Sequence, residues 1–306
     1  MALAVPEGNR TADAAALVDP HGGYEDLKNT TIRAVGAPEE RFGEDALRML
    51  RAVRLAIELD FTIARQTGEA IQKTAQQIAK IAMERVRDEL VRILVSAQPK
   101  RGFELLHDTK LLAHIIPELE EGIGTAQNQA HAFDVWEHSL RSLQAAADKS
   151  WGLELRLAAL LHDVAKPATR RHDEKKRDWS FHGHEVVGAK VTRAVLRRLR
   201  FPNETVETVV KLVRWHMFFS DPEQITLSAV RRMIRNVGRE RIWNLMSVRV
   251  ADRIGTGRPK EQPYRFRKYQ SMIEEALRDP VSVGMLAIDG SAIMELSGES
   301  PGPKIG

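Results

Sequence analysis

The sequence predicts a mainly α-helical protein. From Glu39 onward apolar residues recur with the 3.6-residue period of amphipathic helices, whereas β-like runs are confined to the first 36 residues and are too few to close a sheet. With 306 residues, 43% of them hydrophobic and 29% charged, the chain is long enough to bury a core and to divide into two or three compact units.

The β-like runs, Ala2–Val5, Ala15–Val18 and Thr31–Val35, are separated by the turn formers Pro6-Glu-Gly-Asn and Asp19-Pro-His-Gly-Gly. Three short strands without a covering layer read as the edge of a larger sheet domain, residues 1–36. A helical segment, 37–120, follows. In a helix over Arg41–Leu59, Phe42, Ala46, Met49, Leu50, Val53 and Ile57 fall within an arc of about 100°, with Arg41, Glu44, Asp45, Arg48 and Arg51 on the opposite side. Further helices are predicted near 65–80, 84–97, 100–107 and 109–115, the last ending before Pro117, and Glu120-Glu-Gly-Ile-Gly-Thr reads as a linker. A second helical unit, 121–280, has its helices between about Asp134 and Ala276, interrupted by a turn-rich, charged excursion over Pro167–Gly183. Residues 281–306 read as the start of a segment cut short, with Gly and Pro every few positions from Gly298.

Composition narrows the function classes. No wholly apolar stretch, Leu157–Leu161 included, comes near the roughly 20 residues of a membrane helix, and the first residues lack the charged region of a secretory signal. Neither membrane insertion nor export is expected. The absence of cysteine excludes a disulfide framework, a thiolate nucleophile and Cys-held zinc or iron–sulfur sites, and it fits a reducing cytoplasm. Any metal is left to His and carboxylate. The net charge of +4 is uneven, for residues 192–258 hold 14 Lys/Arg against 6 Asp/Glu. That surplus suits a polyanionic partner, or an Arg-rich solvated helix face.

Two constellations carry chemistry. In the first, Asp45 and Arg48 stand three residues apart beside Glu44 and Arg51, so that on one helix an acceptor and a planar donor fork project together. Such a pair can read a base edge: the carboxylate accepts from the exocyclic amine of C or A, where U and G would present a carbonyl oxygen. The same spacing also makes an ordinary surface ladder of ion pairs.

The string Asp19-Pro-His-Gly-Gly-Tyr-Glu-Asp-Leu, followed by Pro38-Glu-Glu-Arg-Phe-Gly-Glu-Asp-Ala-Leu-Arg-Met-Leu-Arg-Ala-Val-Arg-Leu-Ala and by Met83-Glu-Arg-Val-Arg-Asp-Glu-Leu-Val-Arg-Ile-Leu, resembles the bacterial tRNA nucleotidyltransferases (CCA-adding enzymes) and the related poly(A) polymerases. It is similar to the junction where their catalytic head passes into a helical neck. The resemblance implies a nucleotide-selecting motif at Glu44, Asp45 and Arg48, flanked by Arg51, with Asp45 and Arg48 as base readers. It also implies tRNA, CTP and ATP as partners, and magnesium held by an Asp-x-Asp pair in the head. Neither that pair nor the family's Arg-Arg-Asp element occurs in this sequence, so the chain reads as a piece of the family's architecture, from an incomplete reading frame or beside a separately encoded head.

The second constellation is Asp134-Val-Trp-Glu-His138, Leu160-Leu-His162-Asp163-Val-Ala-Lys166-Pro, His182-Gly-His184-Glu, Trp215-His216-Met and Val250-Ala-Asp252-Arg. Neutral imidazole and carboxylate are good ligands for a divalent metal, and an adjacent His-Asp at the end of a buried helix presents both into one cleft. A lone helix histidine is more often a satisfied core residue; this many ordered candidates is not a lone histidine. The order His, His-Asp, Asp resembles the HD metal-dependent phosphohydrolase superfamily, an all-helical fold. His138, His162, Asp163 and Asp252 match its core positions, and His184 and His216 the places where richer sites add ligands. A metal there would polarise a phosphoryl oxygen and lower the pKa of a bound water. Asp163 and His162 would bind and orient, while Lys166 and Arg170 or Arg171 would neutralise the phosphate, unless Lys166 is simply an exposed residue before a helix-ending Pro167.

The predicted architecture is therefore a head remnant, a helical neck and an HD domain, in a protein of tRNA 3′-end maturation that would not itself add nucleotides. Two other functions fit: a stand-alone phosphohydrolase acting on nucleotides or 2′,3′-cyclic phosphates, and a non-catalytic RNA-binding module.

Overall fold

The computed structural model describes residues 2–3, 17–127, 132–175, 177–217, 225–257, 263–278, 290–298, 300 and 302, and these are mainly helical. At the front, β1 (Ala2–Leu3) pairs antiparallel with β2 (Leu17–Val18); the rest of the first two predicted runs lies outside the described residues. Asp19 then accepts from the Gly23 and Tyr24 amides at 2.9 and 2.7 Å and so starts α1 (Gly23–Lys28). The third run shortens to β3 (Thr31–Ile32), which pairs in parallel with β4 (Thr62–Ile63). Two residues are too few to show alternation, so β4 left no mark in the sequence.

The helix expected over Arg41–Leu59 is two helices, α2 (Pro38–Glu44) and α3 (Leu47–Glu58). Asp45 makes the break. Its backbone is extended (φ −150°, ψ 103°), and its Oδ1 accepts from the Leu47 amide at 3.0 Å. A short carboxylate competes with the helical backbone for its own neighbours' N–H groups, and here it wins.

After α4 (Arg65–Thr74) and a 3-10 turn over Ala75–Lys80 come α5 (Met83–Val95), α6 (Pro99–Asp108), α7 (Leu112–Ile115) and α8 (Pro117–Glu120). Pro117 opens α8 as well as closing α7, its fixed φ suiting a first helical turn. The predicted linker is a turn tied down by Asp134, whose Oδ2 accepts from Gly124 N–H while its Oδ1 caps α9 (Val135–Asp148) through the Glu137 amide, both at 2.8 Å.

Then follow α10 (Leu153–Leu161) and α11 (Lys166–Thr169), in which Pro167 occupies the first turn rather than ending a helix. The charged excursion contains a β-hairpin, β5 (Arg171–Asp173) with β6 (Asp178–Ser180), so this unit is not all-helical as expected. The remaining helices are α12 (His184–Arg198), α13 (Asn203–Trp215), α14 (Leu227–Val237), α15 (Ile242–Gly255), α16 (Tyr264–Arg278) and α17 (Gly290–Ser297). Of the segment 281–306, little beyond α17 lies within the described residues.

One hydrophobic cluster runs without division from Phe42 through the apolar faces of α3, α5, α6, α9, α10, α13 and α14 to Ala276. Each fully buried Leu or Ile in it contributes roughly 1.5–3 kcal/mol. Polar clamps add register between the first helices and the later ones. Buried Arg156 on α10 donates from Nη1 to the carbonyls of Leu94 and Ser96 at 2.8 and 2.6 Å, closing the C-terminus of α5, and from Nε to Trp151 at 2.8 Å. Arg198 on α12 grips Glu118 with two hydrogen bonds of 2.7 Å. Burial opposes ionisation of Glu118, but this guanidinium outweighs it and holds the carboxyl below its ordinary 4.5. The pair's contribution is therefore complete above about pH 4.5 and lost as pH falls through the lower folded value. Glu118→Gln should flatten the acid limb of a stability-against-pH curve; an unchanged limb would show the pair to be idle.

Candidate nucleotide-selecting face and metal centre

The residues expected to select the nucleotide lie around the α2–α3 break. Asp45 and Arg48 are not on one helix face, as the sequence suggested, because Asp45 sits in the break and Arg48 in the first turn of α3. Asp45 Oδ2 accepts from Arg85 Nη2 of α5 at 3.0 Å. Burial works against its ionisation, yet the Leu47 amide and the Arg85 guanidinium prevail and hold the carboxyl below its ordinary value. Arg48 Nη1 donates to Glu44 Oε2 at 2.5 Å and to the Arg41 carbonyl at 3.1 Å, while Arg51 Nε donates to Glu89 Oε1 at 3.2 Å. Glu89 in turn accepts from Arg54 Nε at 2.6 Å. A cleft of about 410 Å³ opens beside this network, with Phe42 and Leu55 among its apolar lining and Arg33, Arg41, Arg48 and Arg51 among its cationic lining. A flat aromatic base with an anionic tail suits such a cleft. Asp45 is not among its lining residues.

Asp45→Ala removes a helix cap and an ion pair together. We expect it to lower stability by about 0.5–2 kcal/mol, the range for loss of a capping side chain. Asp45→Asn, which keeps the cap acceptor, should lose less. Equal melting of both variants and wild type would leave the carboxylate no structural part.

The second constellation comes together in full. His138 lies on α9, His162 and Asp163 follow α10, Lys166 opens α11, His184 opens α12, His216 follows α13 and Asp252 lies on α15; all are buried. Three of the four histidines use one local device. His162, His184 and His216 each place Nδ1 against the carbonyl three residues earlier, of Ala159, Phe181 and Val213, at 2.8, 2.6 and 2.6 Å. A carbonyl only accepts, so Nδ1 carries the proton and Nε2 presents its lone pair.

Those lone pairs converge. His138 Nε2 and His162 Nε2 are 3.0 Å apart, and His184 Nε2 and His216 Nε2 are 3.2 Å apart. Asp163 stands between the pairs, with Oδ2 3.2 and 3.1 Å from the first and Oδ1 3.3 and 3.6 Å from the second. Asp252 Oδ1 completes the first group, 3.4 Å from His138 Nε2. Ligands at tetrahedral positions around a zinc-sized ion are about 3.4 Å apart, so these spacings fit a metal without rearrangement. The sequence suggested one ion. The six residues instead fall into two groups that could each hold one, His138–His162–Asp252 and Asp163–His184–His216, with Asp163 Oδ2 also facing the first.

The electrostatics favour a cation at the two aspartates. Burial alone would raise both aspartates, but surrounding charges outweigh it and hold Asp163 and Asp252 well below the carboxylate range. Burial would lower His138, yet Asp163 and Asp252 push it up to about 9, while burial takes His216 down to about 4. Two anionic carboxylates among imidazoles make a strong site for a divalent cation.

Residues 60–123 match the family described as the probable RNA and SrmB-binding site of polymerase A, and residues 135–257 match the HD domain. The A-adding tRNA nucleotidyltransferase of Deinococcus radiodurans is 35% identical over 315 residues, covering 100% of this chain and 70% of that protein. This chain belongs to the tRNA nucleotidyltransferase family. The CC-adding tRNA nucleotidyltransferase of Thermus thermophilus is 38% identical over 296 residues, covering 93% of the chain and 65% of that protein. The CCA-adding enzyme of Bacillus stearothermophilus, solved in complex with CTP, superposes with a TM-score of 0.63 at 26% identity, over 95% of the chain and 61% of that structure. The chain thus spans between three fifths and seven tenths of the length of these relatives.

In this tRNA nucleotidyltransferase homologue several site residues escaped sequence reasoning. Gln127 is buried and accepts from Lys166 Nζ at 2.6 Å while its Nε2 donates to the carbonyls of Phe133 and Asp134. Nothing in its local sequence marks it. Glu89 could have been found, because it interrupts the buried stripe Val86, Leu90, Ile93 of α5, and a carboxylate there needs a cationic partner. Lys166 is buried rather than exposed, with Nζ 2.6 Å from Asp163 Oδ2. Arg170 stacks on Trp179, its guanidinium carbon 3.7 Å from the ring centre, and Arg171 is exposed on β5.

Proposed function

We propose that this chain carries the nucleotide-selecting neck and the metal-dependent phosphohydrolase centre of a tRNA 3′-end maturation system. In that reading residues 1–36 are the edge of a nucleotidyltransferase head, 37–120 the neck, 121–280 the HD unit and 281–306 the start of a C-terminal segment. The substrate partners are tRNA, CTP and ATP. The cytoplasm is the compartment that this work requires.

The observation that carries the hydrolytic half is the convergence of four imidazole Nε2 atoms on the two oxygens of Asp163. A divalent cation bound there supplies Lewis acidity toward a phosphoryl oxygen and lowers the pKa of a bound water. His138, His162, Asp252 and Asp163 Oδ2 would hold one ion. Asp163 Oδ1, His184 and His216 would hold another with only three protein ligands, which leaves room for water or a phosphate oxygen. Asp163 would hold and orient, His162 would ligate, and Lys166, paired with Asp163, would add positive charge beside the ions. Phosphate monoesters and 2′,3′-cyclic phosphates at RNA ends are the substrates this arrangement suits. Release of phosphate, or opening of a cyclic phosphate, by protein loaded in turn with Mg, Mn, Co, Ni and Zn tests the reading. Bound metal with no turnover on either substrate class would reduce the centre to a structural one.

For the neck, Asp45 and Arg48 are the base readers, aided by Glu44 and Arg51, once Arg48 exchanges Glu44 for a base edge. The carboxylate pair expected to hold magnesium for nucleotide addition is absent from this sequence, so the chain alone should incorporate neither CMP nor AMP into tRNA. Incorporation by the purified chain would overturn that expectation. In an enzyme complete with a head, Asp45→Ala should erode discrimination of C and A from U and G by about 1–3 kcal/mol per lost bidentate contact.

A further inference from the structure

Each aspartate of the metal centre already has a cation of its own. Lys166 Nζ lies 2.6 Å from Asp163 Oδ2, and Arg249 Nη1, three residues before Asp252 on α15, donates to Asp252 Oδ2. Lys166 is held there from behind, because Gln127 Oε1 takes a second of its hydrogens at 2.6 Å and Gln127 is itself pinned to the carbonyls of Phe133 and Asp134. At the rim Glu185 is paired with Arg214, its Oε1 lying 3.9 Å from the guanidinium. Counted with the imidazoles neutral, the state in which they ligate, two carboxylates and two cations sum to zero, so the protein supplies no net negative charge to offset a bound metal.

We propose that metal uptake at this centre is coupled to the binding of a phosphate-bearing ligand, and that Lys166 and Arg249 are the cause. One divalent ion brings the buried cluster to +2 and two bring it to +4, an excess that is costly where water is largely excluded. A phosphate dianion cancels that excess for one ion and halves it for two. Metal and anion therefore hold each other in place, and by thermodynamic reciprocity each tightens the other by the same factor. The two cations act on the same group of ligands, since Asp163 Oδ2 and Asp252 both face the His138–His162 pair. The other group, around Asp163 Oδ1, His184 and His216, shares Lys166 through Asp163. This inference rests on the metal reading above and adds a regulation to it, in which metal is retained when an anionic substrate is present.

The test is Mn2+ affinity of the full chain by calorimetry, with and without inorganic phosphate, corrected for complexation in buffer alone. Wild type should bind Mn2+ at least tenfold more tightly with phosphate, and phosphate at least tenfold more tightly with Mn2+. Lys166→Met, which keeps the buried volume, should bind Mn2+ at least tenfold more tightly than wild type without phosphate and gain much less from adding it. Arg249→Gln, at the half-exposed end of the same network, should move in the same direction and guards against misfolding of the first variant. Mn2+ bound without any phosphate effect would overturn the coupling while leaving the metal reading standing. Weaker or unchanged Mn2+ binding by both variants would overturn the role of the two cations. A wild-type chain that binds no divalent ion, with or without phosphate, would remove the metal reading and this inference together.

Discussion

Replacing Asp163 by Ala should empty both metal subsites in one step. The physical reason is that its two oxygens face different imidazole pairs, at 3.1–3.2 Å on one side and 3.3–3.6 Å on the other, so no other single side chain belongs to both groups. Wild type should carry up to two divalent ions per chain. His184→Ala and His216→Ala should each cost the ion held with Asp163 Oδ1 and spare the one held by His138, His162 and Asp252. Asp163→Ala should lose both, and with them at least about a thousandfold in any phosphate-ester hydrolysis, since the removed group both ligates and orients. Metal content measured on dialysed protein decides the first part. An Asp163→Ala protein that keeps one tightly bound ion would show that the groups are independent and that Asp163 bridges nothing.

The second large effect is expected at a residue with no side chain. Gly255 ends α15 where that helix lies against α9, and a Cβ there would overlap Ser142 Oγ and stand 2.8 Å from the His138 carbonyl oxygen and 3.1 Å from His138 Nδ1. Ser142 could turn its hydroxyl away, but the His138 carbonyl belongs to the helix backbone and cannot. Gly255→Ala must therefore push α15 off α9, the two elements that carry Asp252 and His138. Overpacking of this kind costs about 1–3 kcal/mol. Because it moves two ligands of one metal group apart, metal affinity should fall further than stability does. A variant with wild-type melting temperature and wild-type metal content would mean that the two helices have slack that this geometry denies. Gly255→Ser should be at least as damaging, which separates a packing effect from any loss of glycine's flexibility.

Much of the fold was legible before the structure. The order of helices from α4 to α7 follows the apolar period directly, because an amphipathic helix records its buried face at every third and fourth position. What that period cannot record is a break that keeps the apolar face in line. Phe42 of α2 and Met49, Leu50 and Val53 of α3 are all buried, as one continuous helix would have them, yet Asp45 separates the two segments. The hydrogen bond that makes the break, from the Leu47 amide to Asp45, is worth about as much as the helical bond it replaces, so composition leaves the choice open. The hairpin of β5 and β6 was missed for a related reason: three-residue strands rich in charge carry no hydrophobic alternation.

The sequence by itself determined which residue types could do chemistry and in what order they come. Without cysteine, a metal could fall only to His and carboxylate, and the six candidate ligands His138, His162, Asp163, His184, His216 and Asp252 stand out along the chain because each lies in or beside an apolar helical pattern. Ligand identity is a matter of side-chain chemistry, and side chains are written in the sequence. The tertiary structure alone decided how those ligands divide into two groups, that Asp163 lies between them, and that Lys166, Arg249 and Gln127 complete the charge and hydrogen bonding of the cluster. These are distances between residues up to 114 positions apart, set by how α9, α10, α12, α13 and α15 pack around a shared core, and packing angles of that kind leave no local trace in any one segment.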